Sequence, residues 1–581
     1  GDDDANGTSW RRLELASFHA ATGARTSSQA LYDEAQTPDA HVVSGSSGVV
    51  VGLAHAIERG GVVGALASGE CVAADGDENA RLMPCECVGD VPDGVLAFEM
   101  SPDGEVCAAL TSTGAVVVMT KDLYPLGERA PDAARSDGFT RGAISWRGDG
   151  EFFACCATDA SGDTTLRVMR REDVSVESVG ERGSTLSASA SVSALSSGGA
   201  LGVVPLAWQP RGALIATAAR VDGEKSDRVV FYERNGLRRG EFALPGDAHV
   251  DALAWSADSQ CLGVVVAYSS ASDDVIAQRA VQIWTRSNMH WYLKHETRYG
   301  AEEGVVRIEW DVERGETLRC FTASGILERK QLYWDTTTSD VGTCAVIDGD
   351  VLMLTPMFRT PVPPPLCAAR AIFDAPIVAA AFSPFSGDVE RVAALLSTGA
   401  LALVSSVAST DWERTADEFA DSERAATWAR WNACEIPGET LVVDDLALAV
   451  KSGAALEHIA WVDDDHVAVA LSFDEYSSSS EIWIVPVRAD AHGALSKRMV
   501  PEAVGVMTTS GRGAACAIAR DSSHVYVVRS SDAVANGGET LADAARVVVA
   551  NTGAESYSSG DKIISMIDAR IEELTDRIAS V

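Results

Sequence analysis

Long apolar runs are missing from this sequence. No stretch approaches about 18 uninterrupted apolar residues, and the opening segment GDDDANGTSW, Gly1 to Trp10, has neither the basic nor the apolar block of a signal peptide. A soluble chain without a membrane span is expected. Positive charge is scarce as well: 84 acidic residues face 47 basic ones, a formal net charge of −37. Phosphate backbones are held chiefly by Lys and Arg, and the best basic clusters, Arg170 with Arg171 and Arg238 with Arg239, are only pairs. Direct binding of nucleic acid is therefore not expected.

The spacings that make metal and nucleophile sites are absent too. Twelve cysteines are scattered without a Cys-x-x-Cys pair, which points to reduced, mostly buried thiols in the cytosol or nucleus. Cys85 and Cys87 are two apart, and Cys155 and Cys156 are adjacent; neither makes a zinc knuckle. His290 and His295 are five apart, whereas zinc-protease helices need histidines four apart beside a Glu. On a regular strand those two would point to opposite faces. Gly148 with Gly150 and Gly511 with Gly513 lack the GxGxxG or GxxxxGK pattern and read as turn glycines. There is no GxSxG and no HExxH. No catalytic, cofactor-binding or metal-binding residue is assigned, and an interaction platform is expected rather than an enzyme. The alternative is a free-standing propeller enzyme such as a hydrolase, which would carry a polar, acid- or histidine-lined channel.

What the sequence does contain is a repeat. A strand ending in a large apolar residue, a polar turn and a small-residue apolar strand recur as FEMSPDGEVCAAL from Phe98, ISWRGDGEFFACC from Ile144, LAWQPRGALIATA from Leu206 and LAWSADSQCLGVVV from Leu253. They return as IEWDVERGETLRCF from Ile308, AAFSPFSGDVERVAALL from Ala380 and IAWVDDDHVAVAL from Ile459. The equivalent positions are Met100, Trp146, Trp208, Trp255, Trp310, Phe382 and Trp461. Further strands follow from polar turns, which is the anatomy of a four-stranded propeller blade. An all-β fold of tandem WD-repeat-like propellers is expected, the first complete with about seven blades and the second partial. Trp146, Trp208, Trp255, Trp284, Trp291 and Trp310 are the expected blade anchors, buried rings that bridge neighbouring blades. Small residues in the repeating strands are expected where blades crowd the central channel.

With only 6% aromatic residues in the chain, VQIWTRSNMHWYLKHE from Val281 to Glu296 stands out. Its alternation reads as the third and fourth strands of one blade joined by a turn across Thr285 to Asn288, with its histidines on a surface rim. The one Pro-rich run, PVPPPLC from Pro361, reads as an extended connector through Pro363, Pro364 and Pro365 between two propellers. A helix is expected near 417–431, and Ile564, Ile567, Ile571, Leu574, Ile578 and Val581 form one apolar helical stripe in the tail. The expected division is 8–360 first propeller, 361–375 connector, 376–530 partial second propeller, and 531–581 linker and amphipathic helix.

Several strings resemble the Elongator complex subunit 1 family, also called the IkappaB kinase complex-associated protein family. They are MTKDLYPL (Met119 to Leu126), SWRGDGEFF (Ser145 to Phe153), LAWQPRGALIAT (Leu206 to Thr217), VVFYERNGLRRGEFAL (Val229 to Leu244), AWSADSQCLGV (Ala254 to Val264), VQIWTRSNMHWYLK, AVIDGDVL (Ala345 to Leu352) and VPPPLC (Val362 to Cys367). The resemblance covers about residues 10–380 and is one of pattern only from there to about 530. It implies a non-catalytic scaffold of two N-terminal propellers that holds the catalytic radical SAM and acetyltransferase subunit and a second WD-repeat subunit. It further implies self-association through a helical solenoid absent from this chain, no cofactor of its own, only indirect contact with tRNA, and residence in the cytoplasm and nucleus. The assembly so implied installs carboxymethyl-type groups at C5 of the wobble uridine. By that comparison the chain stops after three or four blades of the second propeller, as a fragment or a truncated gene model would.

Overall fold

The computed structural model describes residues 12–18, 25–33, most of 50–130, 138–180, 204–220, most of 224–383 and 391–405. Within 434–551 it describes the strands and the one helix named below. The expected helices near 417–431 and in the tail lie outside the described residues. The chain divides into two compact units, Gly1–Ala455 and Leu456–Val581.

In the first unit a hairpin of Arg12–Phe18 and Arg25–Asp33 precedes six sheets. Blade 1 runs Val50–Ala56, Gly61–Leu66, Glu70–Ala74 and Glu86–Asp90. Blade 2 is Val95–Met100, Val106–Thr111, Val116–Thr120 and Pro125–Arg129. Phe139–Trp146, Phe152–Asp159, Thr164–Arg170 and Val176–Val179 make blade 3. Leu206–Trp208, Ile215–Arg220, Asp227–Tyr232 and Arg238–Ala243 make blade 4. Blade 5 is Ala248–Trp255, Cys261–Ser270, Asp273–Ser287 and His290–Tyr299, and blade 6 has Val305–Trp310, Thr317–Thr322 and Leu327–Gln331. Each strand pairs antiparallel with the next in sequence, and the first strand of each blade packs on the first strand of its neighbour. This is the propeller arrangement.

The repeated small-residue strand is the second of each sheet, one place out from the first strand, and its crowding is between blades. Val106–Thr111 is buried along its whole length. Because successive side chains alternate in direction, Ala108 and Leu110 enter the core shared with blade 3 while Cys107 and Ala109 enter the core shared with blade 1. The same alternation separates the adjacent cysteines: Cys155 belongs to the core between blades 2 and 3, Cys156 to the core between blades 3 and 4. Burial pushes the Cys156 thiol up to about 12 and Cys155 up as well, so both stay protonated. Cys85 is buried and pushed up to about 11, while Cys87 is exposed.

The tryptophan at the end of a first strand ties one blade to the next. Trp146 donates its indole N–H to the Glu99 carbonyl of blade 2 (3.2 Å), Trp255 to Ala207 of blade 4 (3.2 Å) and Trp310 to Ala254 of blade 5 (3.0 Å). In each case the acceptor is the residue before the equivalent position of the preceding blade. Trp208 differs: its indole nitrogen is buried without a partner among the described residues, and its backbone N–H donates to Ser145 Oγ (2.9 Å). All four rings are buried. The turn glycines divide the work. Gly150 has φ 70°, whereas a Cβ on Gly148 would fall 2.0 Å from the Pro210 carbonyl of the next blade.

After blade 6 the first unit continues with a sheet of Thr343–Asp348, Val351–Pro356 and Ala369–Ile372, to which Cys434–Glu435 adds in parallel. Ile377–Phe382, Arg391–Leu396, Leu401–Ser405 and Gly438–Leu441 form the next, and a short helix, Asp444–Lys451, follows. Pro363, Pro364 and Pro365 therefore lie between the second and third strands of one sheet, not between propellers as the run suggested. The new array begins some twenty residues earlier, at Thr343.

The second unit contains a sheet of Ala455–Asp463, whose first residue closes the first unit, with His466–Ser472, Ser479–Pro486 and Gly505–Ser510. A sheet of Ala515–Arg520, His524–Ser530 and Ala545–Asn551 follows. The last strand, ARVVVAN, lies in what was expected to be linker; its apolar run pairs in register with His524–Ser530.

Candidate functional site

The aromatic stretch of blade 5 occupies the third and fourth strands, with Trp284 in one and Trp291 in the other. The turn between them is tighter than expected: Ser287 pairs with His290, and Asn288 and Met289 alone form the loop with φ of 49° and 62°. Both central residues at positive φ is the geometry whose twist matches a two-residue hairpin. Trp284 stacks on Phe242 of blade 4 at 4.1 Å, and Trp291 stacks on Phe231 at 4.6 Å with 4° between the planes. Trp255 closes the group, its centroid 5.8 Å from that of Trp291. One face of the stretch thus cements blades 4 and 5.

A register shift decides what the other face does. Ile283 pairs with His295 but Trp284 pairs with Leu293, leaving Lys294 as an extra residue. The bulge reverses the alternation beyond it. His290, Tyr292, His295, Thr297 and Tyr299 therefore share one face, correcting the expectation that the two histidines point apart. His290 meets the Tyr292 ring at 4.6 Å, and His295 Nε2 lies 2.9 Å from Thr297 Oγ1. Burial holds the His295 imidazole down to about 4, with Lys330 pushing the same way and Glu296 opposing.

The fourth strand of blade 5 is not a bare rim, because the sheet beginning at Thr343 is docked on it. Asp348 Oδ1 accepts the Leu293 backbone N–H (3.1 Å), and Asp348 Oδ2 lies 2.7 Å from His290 Nε2. Gly349 donates its N–H to the Leu293 carbonyl (2.8 Å). Lys294 donates to the Ile347 carbonyl (2.8 Å) while its ammonium sits over the Tyr292 ring at 4.7 Å. Asn288 Nδ2 donates to the Pro364 carbonyl (2.6 Å). Gly349 is required here, since φ is 62° and a Cβ would lie 3.3 Å from Leu293 Cδ2.

Behind this seam is a buried polar network. The fully buried Glu296 carboxylate accepts from Tyr268 Oη (2.7 Å), Gln282 Nε2 (2.8 Å) and Arg298 Nε (2.7 Å), with Ser397 of the following sheet at 3.4 Å. Gln282 in turn accepts from the Trp284 indole (3.0 Å). Burial raises the Asp350 carboxyl, and the neighbouring Asp348 and Glu296 raise it further. Burial lowers the Lys294 ammonium, opposed by Asp348. A buried ionic group costs desolvation unless its partners are placed well, and here four donors converge on one carboxylate. The polar atoms of the seam serve mutual recognition between two sheets.

Of the residues singled out from sequence, Trp284, Trp291 and Trp255 meet in one aromatic group. Pro364 reaches the seam through its carbonyl, and Trp146, Trp208 and Trp310 stand at other blade boundaries. Asp348, Glu296, Gln282 and Tyr268 went unrecognised. Their signal was a polar residue inside an apolar strand, as in AVQIW and AVIDGDVL. Among the described residues no group of three or more His, Cys, Asp or Glu is arranged to hold a metal, and no helix is long and apolar enough to cross a membrane.

Two of the strings named above, AVIDGDVL and VPPPLC, each touch the blade 5 stretch at this seam. Comparison with known proteins agrees with their origin. The family described as "ELP1 first N-terminal beta-propeller" matches residues 13–138 and 132–313, and "ELP1 N-terminal second beta-propeller" matches 346–558. Elongator complex protein 1 of Mus musculus is 28% identical over 394 residues, 59% of this chain and 28% of that protein. The protein of the same name from Arabidopsis thaliana is 30% identical over 346 residues, 56% of this chain and 24% of its own. That of Schizosaccharomyces pombe is 26% identical over 360 residues, 53% of this chain and 26% of its own. The alignments thus span about a quarter of each relative's length.

Proposed function

Because the chain belongs to the Elongator complex subunit 1 family, we propose that it serves as a non-catalytic scaffold subunit of an Elongator complex. In this reading it supports carboxymethyl-type modification at C5 of the wobble uridine of tRNAs. It does so by holding in place the catalytic radical SAM and acetyltransferase subunit and a second WD-repeat subunit. Chemistry, cofactors and direct handling of tRNA belong to those partners. The complex would work in the cytoplasm and also reside in the nucleus.

The observation that carries the reading is the seam. A scaffold must present several surfaces at fixed separation, and a sheet fastened to blade 5 by side-chain and backbone bonds to Asp348, Gly349, Ile347 and Pro364 does that. The acidic charge of −37 fits a protein-binding subunit better than one that grips phosphate. The test is affinity purification of the tagged native gene product, with partners identified by mass spectrometry. Co-purification of the radical SAM and second WD-repeat subunits in stoichiometric amounts is expected; their absence would remove the basis for the proposal.

A further inference from the structure

The strand-joining turns at one end of blades 4 and 5 carry exposed aliphatic side chains and unpaired cations that the seam does not use. In an antiparallel sheet, the turn between the first two strands and the turn between the last two lie at the same end. Arg211 stands in the first such turn of blade 4, Arg234 and Leu237 in the second, and Arg286 and Met289 at the corresponding turn of blade 5. All three arginines are exposed, and among the described residues none makes an ion pair, whereas nearby Arg147, Arg170, Arg171 and Arg238 are each paired with carboxylates. Leu237 is 53% exposed and Met289 82% exposed. Val179, at the end of blade 3, joins them at 52%: its carbonyl lies against Gly236, and Ser178 Oγ donates to the Arg234 carbonyl.

Direct contacts connect these turns. Arg147 (4.5 Å) and Arg234 (4.8 Å) both lie over the Phe152 ring, and Gly148, next to Arg147, is packed on Pro210, next to Arg211. Beneath the surface, the buried Phe231–Trp291 stack joins blade 4 to blade 5, where Arg286 pairs with Trp291 in the strand register. At its far edge the surface meets the seam, since Asn288, beside Met289, donates to Pro364.

We propose that this end of blades 3 to 5 docks a segment of another protein that presents carboxylates around an aliphatic anchor. Three guanidiniums left unpaired on a chain of net charge −37 call for acidic partner groups. Leu237, Met289 and Val179 supply the apolar centre that such a contact dehydrates. Nucleic acid fits less well: the described rings beneath these turns, Phe152 under Arg147 and Arg234 and Phe231 with Trp291 between blades 4 and 5, are all buried, so none offers a base a platform to stack on. The inference goes beyond the scaffold reading by assigning a surface and a partner chemistry to it.

The test places the photo-crosslinking residue benzoylphenylalanine at position 237, and separately at 289, in the full-length native gene product, and identifies adducts by mass spectrometry. The expected adduct is a protein segment rich in Asp or Glu. Its yield should fall roughly tenfold in Arg211→Glu/Arg234→Glu/Arg286→Glu and recover when the acids of that segment are reversed to Lys. All three sites are exposed, and an unchanged melting temperature verifies the fold. RNA adducts alone, an adduct to a segment without acids, a yield indifferent to charge reversal, or no adduct from either position would each overturn the proposal. Co-purification of the wild-type chain with Elongator subunits is scored separately, so failure of this surface and failure of complex membership give different results.

Discussion

Replacing Asp348 by alanine takes two things from the seam. The Leu293 N–H loses its acceptor in a strand where Leu293 itself is 1% exposed, and an orphaned buried donor costs about 1–3 kcal/mol. The His290 contact adds less, about 0–1 kcal/mol, because that side chain is 39% exposed and solvent screens it. The sum, about 1–4 kcal/mol, is local, and a chain of this size with two units does not unfold in one step. Hydrogen exchange read by mass spectrometry is therefore the suitable assay, on peptides covering 288–299 and 343–352. Opening made easier by that amount should speed exchange there by a factor of about 5 to several hundred, while blades 1 to 3 stay protected. Asp348→Asn keeps an oxygen for Leu293 and should retain most of the protection. Unchanged exchange in the alanine variant would refute the assignment of Asp348 as the clasp, as would loss spread evenly over all blades.

Three other outcomes follow from the same geometry. Trp255→Phe and Trp310→Phe each remove an indole donor from a buried carbonyl and should cost about 1 kcal/mol more than Trp208→Phe, whose indole has no acceptor to lose; equal melting temperatures for the three would contradict the blade-to-blade bond. His295 is held down to about 4 by burial, so the unfolded chain takes up a proton near pH 6.5 that the fold refuses until about pH 4. Its contribution is intact above pH 6.5 and lost as pH falls to about 4, by at most about 3 kcal/mol, and His295→Gln should flatten that acid limb in denaturant titrations. Glu99 runs the opposite way: burial pushes its carboxyl up to about 8 against the pull of Arg307, and its Oε2 lacks a partner, so the fold loses stability as pH rises from about 4.5 to 8. Glu99→Gln should be the more stable protein at pH 8 and indistinguishable at pH 4; equal stability at pH 8 would show the carboxyl to be solvated.

The blades were legible because their signal is local. Alternation, polar turns and a large residue closing each first strand recur within about 15 residues, and Trp146, Trp208, Trp255 and Trp310 were found that way. The seam is not local. Asp348 meets a strand 55 residues upstream, and nothing in the spacing of His290 or Asp348 reports it. The bulge at Lys294 misled the parity argument, since one extra residue flips every side chain after it. The proline run misled for a different reason: a segment without donors reads as a linker wherever it occurs, yet it can span two strands of one sheet when its carbonyls face a neighbour, as that of Pro364 does. What pointed to the seam was the set of family-like strings, which proved to be surfaces that fit one another.

The central claim is that this chain supports wobble-uridine modification as a subunit without chemistry of its own. Mass spectrometry of tRNA nucleosides from cells lacking its gene tests it most directly. Loss of carboxymethyl-type C5 modifications, restored by the intact gene, is the predicted result; a full complement of modified wobble uridine in the deletion strain would contradict it.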